Sequence, residues 1–192
     1  MADAVVVTPS QLSSFKGALT HGGARPSLFE ITVSKPTAVK GSFDTMATHC
    51  NVSAIPPLTV TPIERQYFGR TVKIPGDMVF GDLSTTIINT QYFSLKKVIE
   101  NWMGAINGTG TNYGYSDSTS GFGSVTLTQY AKVGGSLLSW TFVDCWPQTV
   151  AELPLSYDTA SDIEQFDVTW AYNYYTQAKG ELATAATRAK QD

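Results

Sequence analysis

The chain is 192 residues long, with 42% hydrophobic residues and a formal net charge of −3; that length holds one domain with a core of its own, and the acidic balance argues against bulk attraction to nucleic acid. Charged residues are only 15% of the chain, against about 25% in ordinary soluble proteins. Such depletion fits a surface buried in an obligate assembly, or a Ser/Thr-rich monomer that is polar without being charged.

Residues 1–27 are polar and in places Gly-rich (His21-Gly22-Gly23), and read as an N-terminal arm with little core. Phe29-Glu30-Ile31-Thr32-Val33 alternates apolar and polar residues, the signature of a half-buried strand. Residues 34–48 read as a connection. Cys50 to Ile55 reads as a second strand, stopped by Pro56-Pro57. Tyr67-Phe68-Gly69-Arg70 leads into the alternating run Thr71-Val72-Lys73-Ile74, and Pro75-Gly76-Asp77 reads as a tight turn. Met78 to Ile88 is strand-like, with the β-branched run Thr85-Thr86-Ile87-Ile88.

One strong helix is predicted over about 92–107. Leu95, Val98, Ile99, Trp102, Met103 and Ile106 fall on a single face, with Asn89 or Thr90 to cap its start and Gly108 to close its end. Residues 107–123 form a Gly/Ser/Thr loop. Alternation returns at Ser124 to Tyr130, Gly134-Gly135 marks a hairpin turn, and Leu137 to Val143 and Val150 to Leu155 read as strands. Gln165 to Tyr175 carries Phe166, Val168, Trp170, Tyr172 and Tyr174 at period two. Residues 176–192 read as a polar C-terminal tail. The sum is mainly β, a β-barrel or sandwich in residues 28–175 with one amphipathic helix packed on it.

Motifs for chemistry are missing. There is no GxSxG, HExxH or Walker-type loop. The Gly-rich stretch at 107–123 has no Lys and follows a helix, so it does not cradle a phosphate. His21 and His49 read as surface or packed residues, and Cys50 and Cys145 as buried free thiols. Asp158, Asp162 and Glu164 cluster without a spacing that forces an acid–base pair across a cleft. No enzyme, metal site or cofactor is expected. Nor is a membrane partner, because no stretch approaches the roughly 20 apolar residues of a span and Met1 to Ser10 lacks a signal-peptide pattern. The stripe ending at Trp170, Tyr172 and Tyr174 fits core packing or a stacking platform for bases or sugars. Charge is uneven: between Gly108 and Tyr175 lie seven acids (Asp117, Asp144, Glu152, Asp158, Asp162, Glu164, Asp167) and one base, Lys132, a balance of −6.

The order of several segments resembles the tail tube proteins of contractile-tailed bacteriophages. They are the Phe29–Val33 strand; Ile63 to Asp77 (IERQYFGRTVKIPGD); Ile87-Ile88-Asn89; the helix with Trp102-Met103 and Ile106-Asn107; Trp146-Pro147; Leu155 to Asp158; and Ile163 to Trp170. The resemblance implies hexameric rings, with strands of all subunits joined into one barrel around a channel. It implies stacked rings, with a sheath protein outside, baseplate and tail terminator proteins at the ends, and a tape-measure protein and double-stranded DNA within. The setting would be the virion, and the host cytoplasm during assembly. Closing a ring removes exposed sheet edges, the hazard of a strand-rich chain. Two surfaces are expected to matter: an inter-subunit loop and strand at Tyr67, Phe68, Gly69, Arg70, Ile74, Pro75, Gly76 and Asp77, and a channel wall supplied by some of the seven acids. The inner tube of a contractile injection system carrying protein effectors is the alternative within this class. A monomeric β-barrel that binds glycans is the alternative outside it.

Overall fold

A computed structural model describes residues 9–19, 23–114, 118–132, 134–159 and 162–180. They fall into two compact units.

Among the described residues, the smaller unit takes in 9–19, 23–29, 128–132, 134–139 and 179–180. Its helix α1, Pro9–Ala18, lies within the stretch read as an arm. Proline suits the first helical position, where its missing N–H costs nothing, and Lys16 sits in the last turn, favourable to the dipole. Leu12 and Phe15 on this helix, and Leu19 just beyond it, remain exposed. Gly134 and Gly135 take φ of 87° and 82°, the left-handed values that the predicted turn requires, and Ala131 N–H donates to Gly135 O at 3.1 Å.

The larger unit takes in Glu30–Leu127 and Trp140–Ala178 and contains most of a seven-stranded sheet. In chain order the elements are β1 (Phe29–Ser34), the one-turn helix α2 (Met46–His49), β2 (Cys50–Ser53), β3 (Leu58–Tyr67), β4 (Arg70–Phe80), β5 (Leu83–Ile88), α3 (Ser94–Ile106), β6 (Gly123–Tyr130), β7 (Ser136–Val150), β8 (Gln165–Ala171) and β9 (Tyr174–Lys179). The sheet runs β1-β6-β7-β8-β5-β2, with β9 also on β7, while β3 and β4 pair only with each other. The fold class is mainly β with a packed amphipathic helix, as the sequence pattern indicates.

Alternation explains the core. β5 and β8 align Leu83 with Trp170, Thr85 with Val168 and Ile87 with Phe166, and all six are buried. The offsets of α3 bring Leu95, Val98, Ile99 and Trp102 to the same interior. Trp102 and Trp170 meet edge to face at 5.8 Å, and Phe43 closes on both rings. Each buried indole has an acceptor: Trp102 donates to Gly121 O at 2.8 Å and Trp170 to Thr85 Oγ1 at 2.9 Å. Such pairing avoids the cost of about 1–3 kcal/mol for an orphaned buried donor. Gly123 is required at its position, because a Cβ there would collide with the Trp102 ring and Ser34 O.

Several elements depart from the sequence reading. The run Gln165 to Tyr175 is two strands. It breaks at Tyr172-Asn173, so that β8 pairs with the second half of β7 and β9 with the first. β7 is bent at the same level by Asp144, whose φ is +54°. Phe142 and Cys145 are consequently both buried, three residues apart where strict alternation would separate them. The two bends are stitched by Asn173 N–H to Val143 O at 3.2 Å and Asn173 Nδ2 to Asp144 Oδ2 at 3.0 Å. β7 runs unbroken to Val150, so Val150 to Leu155 is not a strand of its own. α3 opens at Phe93, whose φ is +55°; Thr90 stays close, accepting from Ser94 N–H through Oγ1 at 3.5 Å. β9 carries order to Lys179, four residues into the stretch read as tail. Finally, Trp170, Tyr172 and Tyr174 do not form one continuous surface stripe: Trp170 is core, the run breaks at Tyr172-Asn173, Tyr172 is half-buried and Tyr174 is exposed.

Candidate inter-subunit surface

β3 and β4 form an antiparallel hairpin from Leu58↔Phe80 to Tyr67↔Arg70. Phe68 and Gly69, at φ of 45° and 75°, make its two-residue turn; left-handed values at both positions match the twist of a hairpin. Glycine takes such a φ freely, but a phenylalanine there is strained. Phe68 is nonetheless 88% exposed, its ring resting only edge-on against Tyr67 at 4.6 Å.

Pro75-Gly76-Asp77, read as a turn, lies inside β4. Val60 pairs with Met78 and Pro62 with Pro75, so Gly76 and Asp77 together oppose Thr61. This is a bulge, one extra residue in β4 that bends the ribbon. Gly76 permits it, since a Cβ would meet Thr61 O and Ile63. Proline suits a strand without sheet neighbours, where its missing donor breaks no ladder beyond the pair.

The ribbon has two unlike faces. Beyond the bulge, Ile63↔Ile74, Arg65↔Val72 and Tyr67↔Arg70 share one face. The other carries the Glu64–Lys73 ion pair at 3.1 Å and the Gln66 Nε2 to Thr71 Oγ1 hydrogen bond at 3.0 Å. All ten residues of β3 are exposed, and of the eleven in β4 only Gly76 and Phe80 are half-buried. The base is held where Phe80 meets Tyr172 at 6.1 Å and Tyr175 at 5.6 Å, Gly81 N–H donates to Pro57 O at 3.0 Å, and Tyr172 O–H donates to Gly81 O at 2.7 Å. Burial first, then the charges of Tyr175, Asp82 and Cys145, push the Tyr172 hydroxyl up to about 12, so it stays a donor.

All eight residues named for the inter-subunit surface therefore lie in this one hairpin, with Tyr67, Arg70 and Ile74 on its apolar face. Sequence reasoning missed β3 before Ile63, and Val72, Met78 and Val79 as exposed apolar residues. The alternation of Leu58-Thr59-Val60-Thr61 was the available signal.

Of the seven acids, six fall among the described residues, four of them in the connection 151–164. Asp167, exposed on β8, accepts from Thr86 Oγ1 at 2.6 Å, and Glu164 accepts from Asn89 Nδ2 at 2.7 Å. Asp144 sits at the bend of β7. Glu152, Asp158 and Asp162 are exposed in the connection 151–164 between β7 and β8. Asp117 lies outside the described residues. Burial pushes the Cys145 thiol up to about 12 and the Cys50 thiol to about 11, so neither is a nucleophile at neutral pH.

A family model described as phage tail tube protein matches residues 24–178. The chain belongs to the phage tail tube protein family. Its relatives in that family include the tail tube protein gp19 of Enterobacteria phage T4, 26% identical over 153 residues, covering 79% of this chain and 90% of that one. The tail tube protein of Serratia phage KSP90 is 26% identical over 163 residues, covering 81% and 90%. Among solved structures, the fold is similar to a chain in the sheath-tube complex of the extracellular contractile injection system PVC, in its extended state (TM-score 0.56, 16% identity, 91% of this chain and 99% of that one). It is also similar to one in the tube-terminating cap of the anti-feeding prophage (TM-score 0.57, 15% identity, 93% and 96%). A member of this family is a structural subunit of a phage tail tube. Its sequence relatives are tail tube proteins, and phage tail tube proteins are virion components.

Proposed function

We propose that this chain builds the tail tube of a contractile phage as stacked hexameric rings whose lumen conducts double-stranded DNA, and that it has no enzymatic role. The observation that carries this is the β3–β4 hairpin. A lone two-stranded ribbon is marginal in water, and a contiguous exposed apolar face of this kind marks an association surface. A heterologous contact that closes gives a ring, and repeated stacking gives a tube. Sheath protein outside, tape-measure protein inside, and baseplate and terminator proteins at the ends would be its other partners. Assembly would take place in the host cytoplasm. The phage role is preferred to an effector-carrying injection tube because the relatives detectable by sequence are phage tube proteins.

The channel wall would need to repel DNA phosphates. Asp167 is the best-placed candidate. Gln165, Asp167 and Thr169 alternate with the buried Phe166, Val168 and Trp170 and pair with Ile88, Thr86 and Ser84 of β5, giving a mostly polar outer face with one negative charge per subunit. Tubes assembled from the Asp167→Lys chain should retain labelled duplex DNA in a sedimentation assay at low salt, whereas wild-type tubes should not. Equal retention by both would remove Asp167 from the wall.

A further inference from the structure

Resting on the tube reading, we infer that the outer half of the β3–β4 hairpin docks onto the 151–164 connection of a second copy of this chain. The two surfaces are complementary in the two properties that set a contact, apolarity and charge. The outer hairpin face presents Ile63, Val72, Ile74 and Tyr67, about half or more exposed, with Phe68 at the tip. Its charges are Arg65 and Arg70, and neither has an ion-pair partner among the described residues. The acid Glu64 is on the opposite face, neutralised by Lys73. The connection has the reverse character. Leu155, Tyr157 and Ile163 are 85%, 103% and 69% exposed, and Glu152, Asp158, Asp162 and Glu164 accompany them without one Lys or Arg between residues 151 and 164. Leu155, Asp162, Ile163 and Glu164 also line a cavity of about 300 Å³, room for one large side chain.

The complementarity of the two surfaces points to a second copy as the partner. Tyr157 is fully exposed and Phe68 nearly so, so neither is covered by the described residues of its own chain. Hairpin against hairpin would oppose arginines, and connection against connection would oppose carboxylates, a like-charge juxtaposition that disfavours both symmetric pairings. Only the hairpin-to-connection arrangement matches. It is head-to-tail, so each copy offers one unused surface of each kind and the contact propagates.

Charge exchange tests it. Arg65→Glu with Arg70→Glu should raise the concentration needed for tubes about tenfold or more, and so should Asp158→Lys with Asp162→Lys. All four together in one chain should bring it back toward the wild-type value. Exchanging Glu64 and Lys73 on the opposite face (Glu64→Lys with Lys73→Glu) should leave it unchanged. Circular dichroism checks that each variant is folded. Should a reversed hairpin fail to fold, the milder Arg70→Lys chain, mixed light and heavy and treated with a carbodiimide, should yield cross-linked peptides joining position 70 of one copy to Asp158 or Asp162 of another. Wild-type assembly by the reversed variants, no recovery in the fourfold variant, or cross-links from position 70 only to other carboxylates would overturn the inference and leave the tube reading intact. A wild-type chain that never forms rings or tubes overturns the reading beneath both.

Discussion

Phe68→Asn separates the stability of the subunit from the stability of the assembly. In the isolated chain Phe68 is 88% exposed and sits at φ 45°, so it adds strain and buries almost nothing. A left-handed backbone costs an ordinary L-residue about 1–2 kcal/mol, less for asparagine. Against that relief stands the loss of the Tyr67–Phe68 ring contact, worth about 0.5–1.5 kcal/mol. The folded monomer should therefore change by less than about 1 kcal/mol, and chemical denaturation should show a midpoint equal to or above that of the wild type. Assembly should respond in the opposite sense. A phenylalanine buried between subunits contributes about 2 kcal/mol, so its loss should raise the critical concentration for tubes about 30-fold per contact. Pelleting across a concentration series, with negative-stain images of each pellet, reads this directly. A Phe68→Asn chain that assembles at the wild-type concentration would refute the tip's role. A chain that loses folding and assembly together would show that the strain estimate is wrong.

Other consequences concern the fold. Gly123→Ala should lower stability by about 1–3 kcal/mol through collision with Trp102 and Ser34 O, visible as a lower midpoint in denaturant. At the bend of β7, Asp144→Gly should be tolerated, while Asp144→Val should cost about 1–3 kcal/mol, because a β-branched residue resists φ +54°. Both thiols have folded values above the ordinary 9.0, at about 11 and 12. The unfolded chain therefore loses these protons first as pH rises, so their contribution is intact below about pH 9 and is lost progressively between pH 9 and 12. Thiol-specific reagents at pH 8 should accordingly label the native chain far more slowly than the denatured one.

The sequence was most informative where one periodicity governed a whole element. The spacing of Leu95, Val98, Ile99 and Trp102 marked α3, and the alternation of Phe166, Val168 and Trp170 marked β8. It was misleading where one residue changes the period. Asp144 and the pair Tyr172-Asn173 bend two adjacent strands, and a run that reads as one strand is two. Pro75-Gly76-Asp77 has turn composition, yet a partner strand at Thr61 converts it into a bulge; nothing local distinguishes the two. α1 went unmarked because Leu12 and Phe15, with Leu19 just beyond it, stand among Ser, Lys and Gly and remain exposed. The residues of the hairpin were named from sequence, but their division into an apolar, basic face and a self-neutralised one depends on the register of β3 against β4.

The central claim, that the chain assembles into a hollow tube of six-membered rings, is tested most directly by cryo-electron microscopy of the purified protein over a concentration series. Six-fold rings or hollow tubes, with the β3–β4 hairpin lying against a neighbouring subunit, are the predicted result. Monomers that persist at every concentration and salt condition, even when supplied with preformed tail tubes as a template, would contradict it.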